Sequence, residues 1–215
     1  MIKDVVMWTF FHNKIQHFRD KKLYRAWLHA GKPIPPPDTV KQVIVKEYAK
    51  QHRARIFIET GTYLGDMVWA VKDNFYKIYS VELSTELYER AKRKFSIYKH
   101  ISIFKGDSSK VLPEILSQIE EPCLFWLDGH YSEGITATGE KETPILEELK
   151  HIFNHPIEDH VILIDDARCF TGYGDYPNIE ELKAVLLSRY PDNAFNIEDD
   201  IIRTHKYRET FVDDS

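Results

Sequence analysis

The sequence predicts a doubly wound α/β fold: a mostly parallel seven-stranded sheet with a terminal antiparallel strand, preceded by a helical N-terminal appendage. Three observations predict it. From Arg55 onward, five apolar strand-like runs alternate strictly with helix-like stretches, the pattern of βαβ units that form a parallel sheet covered on both faces. The last two apolar runs, around Phe195–Ile197 and Ile201–Arg203, flank only the polar Glu198-Asp199-Asp200, so they read as an antiparallel pair and not as a further βα unit. Four of the ten prolines lie between Gly31 and Pro37, marking a boundary ahead of the sheet.

Residues 4–29 carry Val5, Trp8, Phe11, Ile15, Phe18, Tyr24 and Trp27 at mostly helical spacing. They read as a helical appendage packed on the domain; a substrate lid, a dimer contact and a membrane-surface helix are the sharper alternatives. The proline stretch is expected to be extended, because proline fixes φ and removes a backbone donor. The boundary therefore separates an appendage and linker, residues 1–37, from an α/β domain, residues 38–215. Asp38 or Thr39 is the expected cap of a helix reaching about His52. Strands follow at Ile56–Glu59, Ile78–Leu83, Ile101–Phe104, Leu124–Leu127 and Val161–Ile164. Helices are expected over Asp66–Phe75, Thr85–Ile97, Lys110–Ile119, Pro144–Phe153 and Ile179–Arg189.

Composition narrows the function classes. The chain has 215 residues, 43% hydrophobic and 29% charged, the balance of one soluble domain with room for a small appendage. A net charge of −5 supplies no global positive field for phosphate backbones, which argues against a nucleic-acid partner. Cys123 and Cys169 are the only cysteines; they form neither a disulfide framework nor a CxxC zinc pair, and a reducing, cytoplasmic setting is expected. No apolar run approaches the roughly 18–20 residues that span a bilayer.

In an open α/β sheet, ligands bind beyond the carboxyl ends of the strands, near the point where strand order reverses. The first strand runs through Glu59 into Thr60-Gly61-Thr62-Tyr63-Leu64-Gly65-Asp66. Gly61 and Gly65 let backbone approach a ligand closely, and the following helix offers free N–H groups; glycines that simply make the turn are the plain alternative. The second strand ends in Glu82, about 20 residues beyond the glycine turn, where an acid accepts both hydroxyls of a ribose. After the third strand comes Gly106-Asp107-Ser108. Asp107 is placed either to accept from an adenine amino group, with Ser108 offering a backbone donor, or to cap the helix that follows.

Glu59-x-Gly61 with Gly65, then Glu82, then Gly106-Asp107, resembles class I S-adenosylmethionine-dependent methyltransferases over roughly Arg55 to Tyr207. The resemblance implies a Rossmann-like fold and S-adenosylmethionine as cofactor. It implies a cofactor-binding set of Glu59, Gly61, Thr62, Tyr63, Gly65, Glu82, Leu83, Asp107, Ser108 and Asp128, with Glu59 near the methionine end, Glu82 on ribose and Asp107 on adenine. One departure is Tyr63, which stands where the commonest motif has its middle glycine. The G-x-G-x-x-G of a dinucleotide fold is absent.

The fourth strand ends in Asp128-Gly129-His130 and the fifth in Asp165-Asp166. Neighbouring strand ends bring Asp128, Asp165 and Asp166 to one rim. Three carboxylates repel unless a cation or proton intervenes, and such oxygen ligands suit Mg²⁺ or Ca²⁺; local capping of turns is the alternative. This half resembles metal-assisted O-methyltransferases that modify sugars and macrolides. The resemblance implies a metal set of Asp128, Asp165 and Asp166, with Mg²⁺ lowering the pKa of a substrate hydroxyl. His130 is the candidate general base, with Asp128 beside it, because its unperturbed pKa near 6.5 suits proton pickup; a histidine packed in its loop is the alternative. Residues 133–142 suit a substrate-covering loop. The aromatics of Cys169–Pro177 suit stacking on a sugar, and Arg168 suits an anionic group.

These readings converge on a methyltransferase acting on a hydroxyl oxygen of a small molecule, such as a sugar or natural product, with a homodimer through the N-terminal aromatics left open. An NAD-dependent oxidoreductase, with Glu82 on the NAD ribose, and a non-catalytic nucleotide-binding module are the alternatives.

Overall fold

A computed structural model of the chain describes residues 22–129 and 143–207. His130, Tyr131, Ser132, the 133–142 stretch and the first part of the expected N-terminal helix lie outside the described residues. Residues 22–29 form α1, and the proline stretch after it contains neither helix nor strand. The elements that follow are α2 (Asp38–His52), β1 (Ile56–Thr60), α3 (Asp66–Val71), β2 (Lys77–Glu82), α4 (Thr85–Phe95), β3 (Ile101–Lys105), α5 (Ser108–Leu116), β4 (Cys123–Leu127), α6 (Ile145–Phe153), β5 (Val161–Ile164), α7 (Ile179–Arg189), β6 (Asn193–Glu198) and β7 (Ile201–Lys206).

The sheet runs β3-β2-β1-β4-β5-β7-β6. Strands β1 to β5 pair in parallel, and β7 lies antiparallel to both β5 and β6. The two-residue turn of the closing hairpin places Asp199 and Asp200 at positive φ, 56° and 61°, which matches the twist of the flanking strands. Chain order reverses between β1 and β4, so the crevice beyond their carboxyl ends is the switch point.

Strand residues alternate between two cores, as a pleat requires. Ile56, Ile58, Phe125, Leu127, Ile162 and Ile164 face α5, α6 and α7. Phe57, Leu124, Trp126, Val161 and Leu163 face α2, α3 and α4. Trp27 of α1 joins the second core, and its indole N–H donates to the Pro33 carbonyl at 2.9 Å. Lys32 reaches across to Glu198 and Asp199 of the hairpin.

Several helix boundaries differ from expectation; α4, for example, ends at Phe95 and not at Ile97. Pro37, not Asp38 or Thr39, occupies the cap position of α2, and Asp38 lies in the first turn, where an acid still complements the helix dipole. Helix α3 stops at Val71 and not at Phe75 because Asn74 N–H closes a turn onto Val71 O, a conformation that Asp73 and Asn74 favour. Helix α5 starts at Ser108 and ends at Leu116, two and three residues ahead of expectation, with Asp107 as its cap.

Candidate active site

The loop after β1 owes its shape to neighbouring strand ends. Gly61 has φ +88°, and a Cβ there would lie 2.5 Å from the Asp128 carbonyl oxygen, so only glycine lets the β1 and β4 loops meet. Gly61 and Thr62 N–H both donate to Val81 O. Tyr63 adopts φ +49° and donates its N–H to Glu82 Oε2 at 2.7 Å, while Ser84 N–H donates to Glu82 Oε1 at 2.8 Å. Glu82 thus props the loop open from below, and Leu83 continues directly from it. Burial raises the Glu82 pKa, while the N–H groups of Ser84, Tyr63 and Leu83 work against that rise. At the far end of the loop, Lys94 of α4 donates to Leu64 O, Gly65 O and Asp66.

Glu59 is fully enclosed beneath this loop. Its carboxylate accepts from Ser80 Oγ, which lies 2.5 Å from Thr62 Oγ1. Burial pushes its pKa well above the usual carboxylate range. Asp107 accepts from Ser109 N–H at 2.9 Å and Ser109 Oγ at 2.6 Å, so its Oδ1 caps α5. Ser108, beside it, points the other way and donates to Glu148 Oε1 at 2.5 Å.

The ends of β4 and β5 do bring Asp128, Asp165 and Asp166 together: one carboxylate oxygen of each lies within 4.8 Å of the others. The backbone aligns them, with Asp128 N–H bonded to Thr60 O and Asp165 N–H to Leu127 O. Asp166 turns back at φ 53°, its N–H donating to Asp165 Oδ1 at 2.8 Å. Burial first, and then the Asp128 charge, push the Asp165 pKa up to about 7.

Two cations sit on this cluster. Lys41 of α2 donates to Asp165 Oδ2 at 2.5 Å and to Asp166 Oδ1 at 3.3 Å. Burial disfavours its charge, but the carboxylates of Asp165, Asp166 and Asp128 outweigh that and leave its pKa above the ordinary lysine value. Arg168 donates to Asp166 Oδ1 at 2.8 Å and is also paired with Asp200 of the hairpin turn. Asp200 in addition accepts from Arg168 N–H at 2.8 Å. Arg168 thus commits Nη1 to two aspartates of this chain. The three carboxylates have the donor chemistry of a hard divalent cation, but Lys41 hydrogen-bonds two of them, so that ion and this lysine do not fit together.

Beside the cluster lies a cleft lined by Leu127, Gly129, Thr143, Ile145, Glu148, Ile164, Asp165, Asp166, Phe170 and Tyr176. Phe170 and Tyr176 meet edge to face, with ring centroids 5.4 Å apart; Tyr173 of the same segment is exposed. Glu148 is buried, and burial pushes its pKa up to about 7. A Cβ on Gly129 would lie 3.1 Å from Glu148 Oε1 and 3.2 Å from Thr60 Oγ1, so this glycine admits the carboxyl to the β4 loop. His130 lies outside the described residues.

Sequence reasoning missed Lys41, Lys94, Glu148 and Asp200. Glu148 sits in the first turn of α6, where an acid reads as dipole compensation. Lys41 looks like a solvated helix position. Only its place between the buried Val40 and Gln42 hints that the side chain lies close to the core.

No protein-family model matches the sequence, and no curated protein matches it. Solved structures do. The O-methyltransferase from Bacillus cereus, in complex with S-adenosylhomocysteine, is 12% identical with a TM-score of 0.58, over 87% of this chain and 90% of that one. The O-methyltransferase TomG from Streptomyces achromogenes, involved in tomaymycin synthesis and in complex with S-adenosylmethionine, is 12% identical with a TM-score of 0.55, over 87% and 89%. The S-adenosylhomocysteine-bound methyltransferase PaMTH1 from Podospora anserina is 13% identical with a TM-score of 0.53, over 92% and 96%. No helix among the described residues is long and apolar enough to cross a membrane. The likeness over nearly the whole length, with the strand order and switch point described above, establishes that this chain has the class I methyltransferase fold.

Proposed function

We propose that this protein is an S-adenosylmethionine-dependent methyltransferase that methylates a hydroxyl oxygen of a small molecule. One observation carries the proposal. The glycine loop propped by Glu82 and the acid-lined cleft beside Asp165 lie on either side of the β1/β4 switch point, in a fold shared with O-methyltransferases that bind this cofactor. Fold alone does not specify a reaction, so the assignment rests on the site.

In this reading Glu82 accepts the ribose hydroxyls, keeping one backbone hydrogen bond on each carboxylate oxygen. Asp107 and Ser108 N–H face the adenine, and Leu83 packs on it. Gly61, Thr62, Tyr63 and Gly65 follow the ribose and methionine portions, with the buried Glu59 fixing the loop from beneath. The acceptor enters the cleft, its ring against Phe170 and Tyr176, a lining suited to a sugar or another hydroxylated ring. Its oxygen attacks the sulfonium methyl in line; the C–O bond forms, the S–CH₃ bond breaks and the thioether leaves. The hydroxyl proton passes to a carboxylate of the rim, either directly or through His130 with Asp128. Asp165 and Glu148, each with a pKa of about 7, are matched to that transfer near neutrality. Alignment and exclusion of water supply most of the remaining acceleration. Mg²⁺ at Asp128, Asp165 and Asp166 would polarise the hydroxyl, but only by displacing Lys41 from two of those carboxylates.

The test is incubation with methyl-labelled S-adenosylmethionine and a panel of sugars, sugar nucleotides and hydroxylated natural products, with products read by mass spectrometry. Label in an O-methyl ether is expected. Label confined to amines removes the oxygen assignment. Substrate-dependent reduction of NAD without methyl transfer overturns the proposal.

A further inference from the structure

We infer that Lys41 is the built-in counter-ion of the Asp128–Asp165–Asp166 cluster and takes the place of a divalent metal there, so that the rim works without one. Lys41 and a bound metal would compete for the same oxygens. Lys41 Nζ lies 2.5 Å from Asp165 Oδ2 and 3.3 Å from Asp166 Oδ1. A divalent ion bound by these carboxylates needs its oxygens at about 2.0–2.6 Å, and thus needs the space and the lone pairs that Lys41 uses. Asp166 Oδ1 is claimed a second time, by Arg168 at 2.8 Å, and Arg168 is anchored in turn by Asp200, whose carboxyl is buried.

The lysine is not a mobile surface group that happens to fall nearby. It sits in the first turn and a half of the 15-residue helix α2, whose Val40, Ile44 and Val45 are buried against the sheet. Its own side chain is 13% exposed and that of Asp165 only 1%. Backing out would strip the buried Asp165 carboxylate of its cation, which is strongly unfavourable. An ammonium also does what a bare ion does not: it carries three donors in a directed arrangement. With two of them on Asp165 and Asp166, it fixes the directions of two carboxylates that line the cleft. Lys41 is therefore a positioning residue, supplied by the helix that follows the proline stretch.

Direct titration of the full chain with Mn²⁺, following free ion by electron paramagnetic resonance, tests the inference. Wild type is expected to show no saturable site up to about 1 mM, the weak end of oxygen-ligated sites. Lys41→Met should gain one, binding at least about tenfold tighter, and adding Asp165→Asn should remove it again. Lys41→Arg, which keeps the charge, should resemble wild type. Stoichiometric Mn²⁺ binding by wild type overturns the inference even if Lys41→Met does not fold. So does a folded Lys41→Met that binds no better than wild type. Where turnover is measurable, wild type should keep it in excess EDTA, and loss of turnover there also overturns the inference. The Mn²⁺ readout does not depend on methyl transfer, so a failed methyltransferase assignment and a failed counter-ion assignment are distinguishable.

Discussion

The two halves of the rim differ in what holds their acids, neutral donors for the most part on one side and cations on the other. On the β1–β3 side, Glu59, Glu82 and Asp107 are held by neutral donors close in sequence or on the next strand: Ser80 Oγ, the N–H groups of Tyr63 and Ser84, and Ser109. On the β4–β5 side, beside the N–H of Asp166 on Asp165, the two acids are held by cations, Lys41 of the distant α2 and the nearby Arg168 that Asp200 fixes. The contrast fits the two tasks proposed for these sides. A nucleoside needs acceptors fixed in direction, which backbone donors supply. A reacting hydroxyl needs charge that responds to proton movement, which ion pairs with raised carboxyl pKa values supply.

The largest expected effect breaks the second side. Lys41→Met should destabilise the protein by about 3–5 kcal/mol, the usual result of removing one partner from a buried pair, with a smaller loss for Lys41→Arg. Chemical denaturation measures this; a change indistinguishable from that of an exposed lysine would show the pair to be solvated. On the first side, Glu82→Ala should weaken S-adenosylhomocysteine binding by about 1.5–3 kcal/mol, the range for hydrogen bonds to a charged group, and loosen the loop at Tyr63. Calorimetry reads the affinity, and hydrogen exchange at Tyr63 reads the loop.

Glu148 sharpens the comparison through pH. Its folded pKa of about 7 lies above the ordinary 4.5, so the native state keeps a proton that the unfolded chain has released between those values. Stability contributed by this group is present at low pH and falls as pH rises through that window. Glu148→Gln should abolish the fall, on the order of 2 kcal/mol between pH 5 and pH 8. Parallel denaturation curves for wild type and variant at both pH values would contradict it. The smallest effect is Asp107→Ala, which should cost about 1 kcal/mol as a lost helix cap and additionally weaken adenine binding; loss of stability with unchanged cofactor affinity would confine Asp107 to the cap.

The same contrast explains what could be read from the sequence. Alternating apolar runs disclosed the parallel strands because their burial is written in their own residues, and the closing pair showed as two apolar runs around a polar turn, although β6 itself has no buried residue. The acids stood out because each ends or directly follows a strand, as Glu82, Asp128 and Asp165 do. The helix ends were less legible: the stop of α3 at Val71 depends on a turn through Asp73 and Asn74 that competes with continued helix. Lys41 was invisible because its partners are more than 120 residues away, and nothing local separates it from a solvated lysine. Glu148 was hidden likewise, since its partner Ser108 comes from another helix.

The proposed function stands on S-adenosylmethionine binding at the β1–β3 side. Isothermal titration of wild type and Glu82→Ala with S-adenosylhomocysteine, with NAD as the competing nucleotide, tests it most directly. One saturable site for S-adenosylhomocysteine is expected in wild type, weakened by roughly 10- to 150-fold in the variant, with no saturable heat from NAD. Binding of NAD with no response to S-adenosylhomocysteine would contradict it.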